Sequence, residues 1–460
     1  MIAVLGAGPA GLAAAWRAAA AGHDVVVLER GGAVGGMAGS FDVAGLRVDH
    51  GSHRLHPASP PPVLAALRGL LGADLQTRPR HGRIRLLDRW LAFPLRTGDL
   101  LRHAPRRFAA RAAFDAVTGP LRRPREDTFA EVVRAGLGPA VLEAFYGPYA
   151  RKLWDAEADD LAGELARRRV SAASPADIAR RLARGSRSGG GTFLYPRRGF
   201  GSIPEALAEA AVAAGATVRL GAAVTGLARH PDGAGWTVAV AGDAPVDAAH
   251  VWSTAPLPAL VGMVDPPAPA AATAAASGLR HRALVLLYLV LDRPRWTEFD
   301  AHYFPGDDVL AARVSEPRNY RDDPGQPADR TVVCAEIACW VDDDVWSAPD
   351  DVLADRLARE LGAVGLPEPR AVAVESRRLP RVYPVYHPAA AGDLAAVEAW
   401  ASDLDGLITF GRQGLFTPDN THHALAMGFA AADALRADGT LDTELWRTRR
   451  DGFRRFVVED

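Results

Sequence analysis

The chain has 460 residues, 48% of them hydrophobic and 23% charged. That is room for about two or three packed domains and excludes a disordered polymer. A net charge of −2 argues against nucleic acid as a main partner, and the longest strongly apolar run, Ala283–Leu291, is too short to span a bilayer.

The chain begins directly on a strand-like run, with neither a basic leader nor room for a signal peptide, so the cytoplasm is the expected location. Ile2–Val4 reads as a strand. Gly6-Ala7-Gly8-Pro9-Ala10-Gly11 follows, then a helix over Leu12–Ala21 ended by Gly22, and a second strand, Val25–Leu28, ending in Glu29. Each part has a task in dinucleotide binding. Gly6 permits the turn, Gly8 lets backbone approach a pyrophosphate, and Gly11 lets the helix pack on the sheet with its N-terminus toward the phosphates. Glu29 sits where a carboxylate accepts both hydroxyls of an adenosine ribose. Arg30 and a second glycine cluster, Gly35-Gly36-Met37, come next and can bring backbone N–H groups to phosphates or a ring.

Phe41–Val48 reads as a hairpin, followed by Asp49-His50-Gly51-Ser52-His53-Arg54. His53 is a candidate proton-handling or hydrogen-bonding group; a packed histidine is the alternative, and neither histidine has the company of a zinc site. Strands are expected over Arg83–Leu87 and Trp90–Phe93. The helical run Leu100–Val117 carries Arg102, Arg106, Arg107 and Arg111, either as a solvated face or as a peripheral membrane contact. Further helices are expected over Phe129–Leu137 and Ala140–Tyr146. Phe145–Trp154 gathers Tyr146, Tyr149, Arg151 and Lys152, aromatics for stacking and bases for an anion. Lys152 is the only lysine in the chain. Helices are expected over Leu161–Arg169 and Ser171–Arg184, then a glycine-rich loop at Gly185–Gly191.

Ser202 is placed to cap a helix over Ile203–Ala214. Strands follow at Thr217–Leu220, Val224–Ala228, Trp236–Val240 and Val246–Trp252, the last leading into Thr254 and Pro256 in a crossing that can pass close under a cofactor. Arg282–Leu291, Val309–Ser315, Thr331–Trp340 and Ala371–Leu379 predict a second, mixed sheet, with a helix over Asp350–Leu361. Cys334 and Cys339 on one strand would point to opposite faces, which leaves no disulfide or metal site to expect. Arg381–Pro388, with Tyr383 and Tyr386, reads as a rigid aromatic strand. Leu407–Phe410, Gly411-Arg412, a loop over Gln413–Thr421 and a helix to Leu435 repeat the strand–glycine–helix pattern.

Together these strings resemble FAD-dependent oxidoreductases of the protoporphyrinogen oxidase and flavin amine oxidase group, with UDP-galactopyranose mutases as neighbours. The resemblance covers most of the chain and is strongest at residues 1–60, 145–154, 192–227, 251–256 and 405–436. It implies an α/β fold: a Rossmann-like FAD-binding domain of glutathione-reductase type, with an inserted mixed-sheet substrate domain and a helical insertion. The FAD-binding domain is expected in three parts, 1–75, 192–256 and 401–436. Residues 76–191 are expected to hold substrate-side strands and the helical insertion, 257–400 the mixed sheet, and 437–460 a tail. By resemblance Gly6–Gly11, Glu29, Gly35-Gly36, Gly51–His53 and Gly411-Arg412 contact FAD, Val224 lies near the adenine, and the loop reaching Asp419, Asn420 and Thr421 resembles the FAD-binding end of the sugar mutases.

The expected reaction is oxidation of a small organic substrate by hydride transfer to flavin. His53 or Tyr386 is the candidate base, Lys152 or Arg151 the candidate positive charge, Tyr146 and Tyr149 the candidate lining of the substrate face, and Tyr383 with Tyr386 the nearest aromatic cage. The alternatives are a reduced-FAD-dependent nucleotide-sugar mutase and an FAD-binding scaffold without turnover. A homodimer is left open.

Overall fold

The computed structural model describes residues 1–95, 97–119, 122–170 and 191–458. The expected helix Ser171–Arg184 and most of the loop after it lie outside the described residues.

Five short strands form one all-parallel sheet, in the order Leu407–Thr409, His250–Ser253, Ile2–Leu5, Val25–Leu28 and Thr217–Arg219. Every residue of Ile2–Leu5 and Val25–Leu28 is buried, as continuous apolar strands covered on both faces must be. The helix Pro9–Ala20 packs between Ser202–Ala213 and Thr421–Asp433. Alanine and glycine dominate these helix contacts, so the backbones approach closely.

A mixed seven-stranded sheet runs Ala371–Pro384, His281–Leu291, Thr331–Cys339, Arg313–Ser315, Ala301–Tyr303, Gly82–Leu86 and Arg89–Phe93. Its pairs are antiparallel except Ala301–Tyr303 on Gly82–Leu86. His281–Leu291 shows the period of two by which it is buried on both faces. Val285, Leu287 and Leu289 pack under the helix Asp350–Ala363, while Leu284, Leu286 and Tyr288 face the hairpin around Val43 and Val48. The second face looks toward the parallel sheet, and the cavity described below lies between the two sheets.

Several expected boundaries move. The strand expected from Val309 begins only at Arg313, because residues 304–312 fold back as a loop. Ala371–Leu379 and the aromatic stretch after it are one strand to Pro384. The arginine-bearing helical run is two helices, Thr97–His103 and Arg106–Thr118, separated at Pro105, which lacks the N–H a continuing helix needs. Leu142–Tyr146 is a π-turn leading into the helix Gly147–Trp154. Among the described residues no helix is long and apolar enough to cross a membrane.

Candidate active site

The first turn is built by close backbone approach. Gly6 has φ +102°, and a Cβ there would lie 2.5 Å from the Thr254 hydroxyl oxygen. Thr254 holds its place by donating to the Leu5 carbonyl at 2.7 Å. A Cβ at Gly11 would lie 2.1 Å from the Gly6 carbonyl oxygen, so only glycine lets the helix sit on the turn. Gly8 differs: nothing lies within 4 Å of its Cβ position. It is the N-cap of the helix Pro9–Ala20 and has no side chain to cap it. The positive helix end therefore opens into the cavity. Glu29 accepts from Ala7 N and Gly31 N, both at 2.8 Å, which fixes its carboxylate at the cavity edge.

The far end of the chain returns to the same place. Gly411 and Arg412 start a short helix below the first turn, and a Cβ at Gly411 would meet the Ala10 Cβ at 3.0 Å. Arg412 donates to the carbonyls of Val382 at 2.8 Å and Asp419 at 3.0 Å. Its Nε is buried without a hydrogen-bond partner in the protein. Asp419 accepts from the Thr417 hydroxyl at 2.6 Å, and burial raises its carboxyl above the usual range. Asn420 begins the helix Thr421–Asp433.

These segments enclose a cavity of about 630 Å³. Of the residues singled out in the sequence, Gly6, Gly8, Pro9, Ala10, Glu29 and Arg30 line one end. Gly36, Met37, Gly51, Ser52 and His53 line it further along, with Val224, Thr254 and Tyr383. Gly411, Arg412, Asp419, Asn420 and Thr421 complete that set. Gly11 and Gly35 stand behind the wall, where they set backbone spacing. An open helix end, a glycine with free space before it and an orphaned guanidinium Nε are what a diphosphate-bearing dinucleotide needs, so these residues fit FAD.

Two candidate catalytic residues lie elsewhere. Lys152 is absent from the cavity wall; its ammonium donates to the backbone carbonyls of Phe304, Gly306, Val309 and Ala311. Tyr386 is 2% exposed and donates to the Phe416 carbonyl at 2.7 Å, behind the wall. Neither touches the cavity, because each polar tip is spent on main-chain acceptors. His53 does line it, but its ring stacks on Phe200 with Nε2 2.9 Å from the His50 carbonyl. Burial lowers its pKa, opposed by Asp49 and Glu336, so it is neutral at pH 7.

Apart from Tyr149, expected with Tyr146 on the substrate face, the remaining wall was not singled out from the sequence; Tyr146 does not line the cavity. Arg313 makes a two-pronged pair with Glu336, at 2.9 and 2.7 Å, and Glu336 also accepts from Ser52 N at 2.8 Å. Arg54 donates to the Tyr303 hydroxyl at 2.6 Å and to Asp300 at 3.1 Å. Burial works against its charge, but Tyr303 and Asp300 hold its pKa above the ordinary value. Arg80, Arg169 and Arg381 line the same space, as do Tyr149 and Tyr303. One signal in the sequence was available. Glu336 sits inside the largely apolar strand Thr331–Cys339, and Arg313 inside the run expected as a strand over Val309–Ser315, where a lone charge needs a partner.

The profile of the flavin containing amine oxidoreductase family matches residues 9–408. A search of curated proteins finds no match. Among solved structures, reduced UDP-galactopyranose mutase is similar at TM-score 0.80 and 20% identity, over 100% of this chain and 99% of that one. Putrescine oxidase bound to putrescine is similar at TM-score 0.64 and 17% identity, over 98% of each chain. A fatty acid isomerase from P. acnes that produces CLA is similar at TM-score 0.64 and 14% identity, over 93% of this chain and 96% of that one. At such identities these structures speak for the fold, and the family rests on the profile. The chain belongs to the flavin containing amine oxidoreductase family and is an FAD-dependent enzyme of it.

Proposed function

We propose that the cavity receives an anionic substrate, and that a nucleotide sugar rearranged by the reduced-FAD enzyme is the class it fits best. The observation that carries this reading is charge. Seven arginines line the cavity (Arg30, Arg54, Arg80, Arg169, Arg313, Arg381 and Arg412) against the carboxylates of Glu29, Glu336 and Asp419. Asp300, just outside the wall, offsets Arg54. The surplus exceeds what the diphosphate of FAD neutralises, at about two negative charges. A further anionic group on the substrate, such as a phosphate, complements what is left. An amine substrate would enter as a cation and meet an adverse field, which weighs against amine oxidation despite the family's name.

When bound, FAD supplies the redox or nucleophilic centre. The chain supplies the surroundings. Arg313, held by Glu336 through two of its five N–H groups, keeps a fixed orientation in the cavity wall. Burial first, then the Glu336 carboxylate, raises the Tyr383 phenol pKa, so its hydroxyl remains a hydrogen-bond donor at neutral pH. His53, stacked on Phe200 with Nε2 against the His50 carbonyl, is a fixed part of the wall.

The test is to reduce the holoenzyme with dithionite under anaerobic conditions and supply UDP- or dTDP-sugars. Conversion to a sugar isomer without net oxidation of the flavin is expected. Bleaching of the oxidised flavin by an amine, a porphyrinogen or a polyene, with every nucleotide sugar inert, would overturn the reading in favour of substrate oxidation.

A further inference from the structure

Lys152 projects from the helix Gly147–Trp154 toward the loop that joins Ala301–Tyr303 to Arg313–Ser315. Its ammonium donates to Phe304 O at 2.8 Å, Val309 O at 2.6 Å, Ala311 O at 3.5 Å, and also to Gly306 O. All four acceptors belong to one loop. The residues at the two ends of that loop, Tyr303 and Arg313, line the cavity, and so do Tyr149 and Leu153 on the helix that carries Lys152. One side chain thus ties together two walls of the same cavity.

We propose that Lys152 is a positioning residue, whose ammonium clamps the loop 304–311 to the helix Gly147–Trp154 and so fixes the spacing of Tyr303 and Arg313 from Tyr149 across the substrate side of the cavity. The inference depends on the cavity and not on which substrate enters it. The chemistry explains why the only lysine of the chain is found here. The three short contacts, to Phe304, Gly306 and Val309, match the three N–H groups of a compact ammonium, with Ala311 O at the margin at 3.5 Å. A planar guanidinium has its donors in a fixed fork and does not fill such a cage. Elsewhere the chain uses arginine for its positive charges. Burial lowers the Lys152 pKa against the opposing pull of Asp308, Asp307 and Glu360, to about 8 with all of them counted, so the ammonium form prevails at neutral pH.

The experiment compares the wild-type holoenzyme with Lys152→Met and Lys152→Ala. Amide hydrogen exchange is followed over 304–312 and, as an internal reference, over 2–28. In Lys152→Met, exchange across 304–312 is expected to rise about tenfold or more while 2–28 is unchanged and FAD stays bound. In Lys152→Ala, methylammonium, which carries N–H donors, is expected to restore protection, and tetramethylammonium, which has the charge but no donor, is not. Titration of the oxidised holoenzymes with UDP, followed by flavin absorbance, should show weaker binding in both variants, recovered in Lys152→Ala by methylammonium and not by tetramethylammonium, a response that a merely space-filling lysine would not give. Unchanged exchange over 304–312, an equal rise everywhere, or equal rescue by both ions would overturn the clamp. If the wild-type enzyme ignores UDP, the nucleotide-sugar reading fails, and the exchange data still decide the clamp. Should Lys152→Met give no soluble holoenzyme, Lys152→Leu, which likewise carries no N–H donor, takes its place in the same comparison.

Discussion

Gly428 faces the backbone of Ala10 so closely that a Cβ added to it would lie 2.3 Å from the Ala10 carbonyl oxygen. This contact joins the helix Thr421–Asp433 to the helix Pro9–Ala20, and both helices begin at the cavity. Substituting Gly428→Ala must push the two helices apart, since the neighbour is main chain and cannot rotate away. Overpacking of this kind costs about 1–3 kcal/mol. The expected result is a lower thermal midpoint together with faster release of FAD, because the Gly411–Thr421 side of the cavity moves with the displaced helix. Fluorescence of released flavin during a thermal ramp reads both. A variant as stable and as tightly loaded as wild type would show that the contact does not set the cavity.

Gly8→Ala makes the opposite case. Nothing in the protein lies within 4 Å of the added methyl, and the backbone there is ordinary extended chain, φ −78°. The fold should tolerate it. The methyl projects into the cavity in front of the open helix end, where a phosphate would approach. Apo-protein stability should therefore match wild type while FAD affinity falls, by about tenfold or more on losing one charge-assisted contact. Isothermal titration of apo-protein with FAD separates the two effects. Equal affinity would place the diphosphate elsewhere.

These two glycines mark how far the sequence could be read. A turn that needs glycine leaves a local signature, so Gly6–Gly11 and Gly411 were legible, and their helices lie where the strand–glycine–helix pattern puts them. The substrate side was not. Arg313 and Glu336 meet only because their strands pair in one register, with Arg313 opposite Glu336, and no local pattern states a register. Lys152 drew attention as the lone lysine, but its partners are main-chain carbonyls, which every residue has and no sequence displays. Tyr386 stands behind the wall for the same reason: its acceptor is the carbonyl of Phe416.

The Arg313–Glu336 pair is asymmetric, and mutation should show it. The Glu336 side chain is 5% exposed and that of Arg313 is 23% exposed. Arg313→Ala leaves a buried carboxylate with Ser52 N as its remaining hydrogen-bond donor, at a cost of about 3–5 kcal/mol. Glu336→Gln removes the charge and keeps an acceptor for Ser52 N, and Arg313 is better placed to reach water. Glu336→Gln should therefore destabilise much less than Arg313→Ala, measured by urea unfolding of the holoenzymes. The double variant should recover part of the Arg313→Ala loss, since the stranded charge is gone. Additive losses would mean that the two groups do not interact across the cavity wall.

The pH dependence of stability should be governed in part by two histidines that do not line the cavity. His302 is 1% exposed among Trp90, Trp296 and Phe299, with Nε2 lacking a hydrogen-bond partner. Burial, with the nearby Arg83, lowers its pKa to about 3. Burial, with Arg381 and Arg412, lowers that of His281 to about 4. In the unfolded chain both titrate near 6.5. As pH falls below 6.5 the unfolded state takes up protons that the folded state refuses, so stability is lost. The loss from each group continues until its folded pKa is reached, near 4 for His281 and near 3 for His302. The slope is about 1.4 kcal/mol per pH unit for each fully titrating group. Carboxyls whose pKa burial raises, Asp419 and Glu316, act in the opposite sense at the acid end, because the folded state binds their protons first. His302→Phe keeps an aromatic ring in the pocket and removes the titration. Between pH 7 and pH 5 the variant should lose about 2 kcal/mol less than wild type in urea unfolding. An unchanged difference between the two pH values would show that His302 is protonated, or otherwise satisfied, in the folded enzyme.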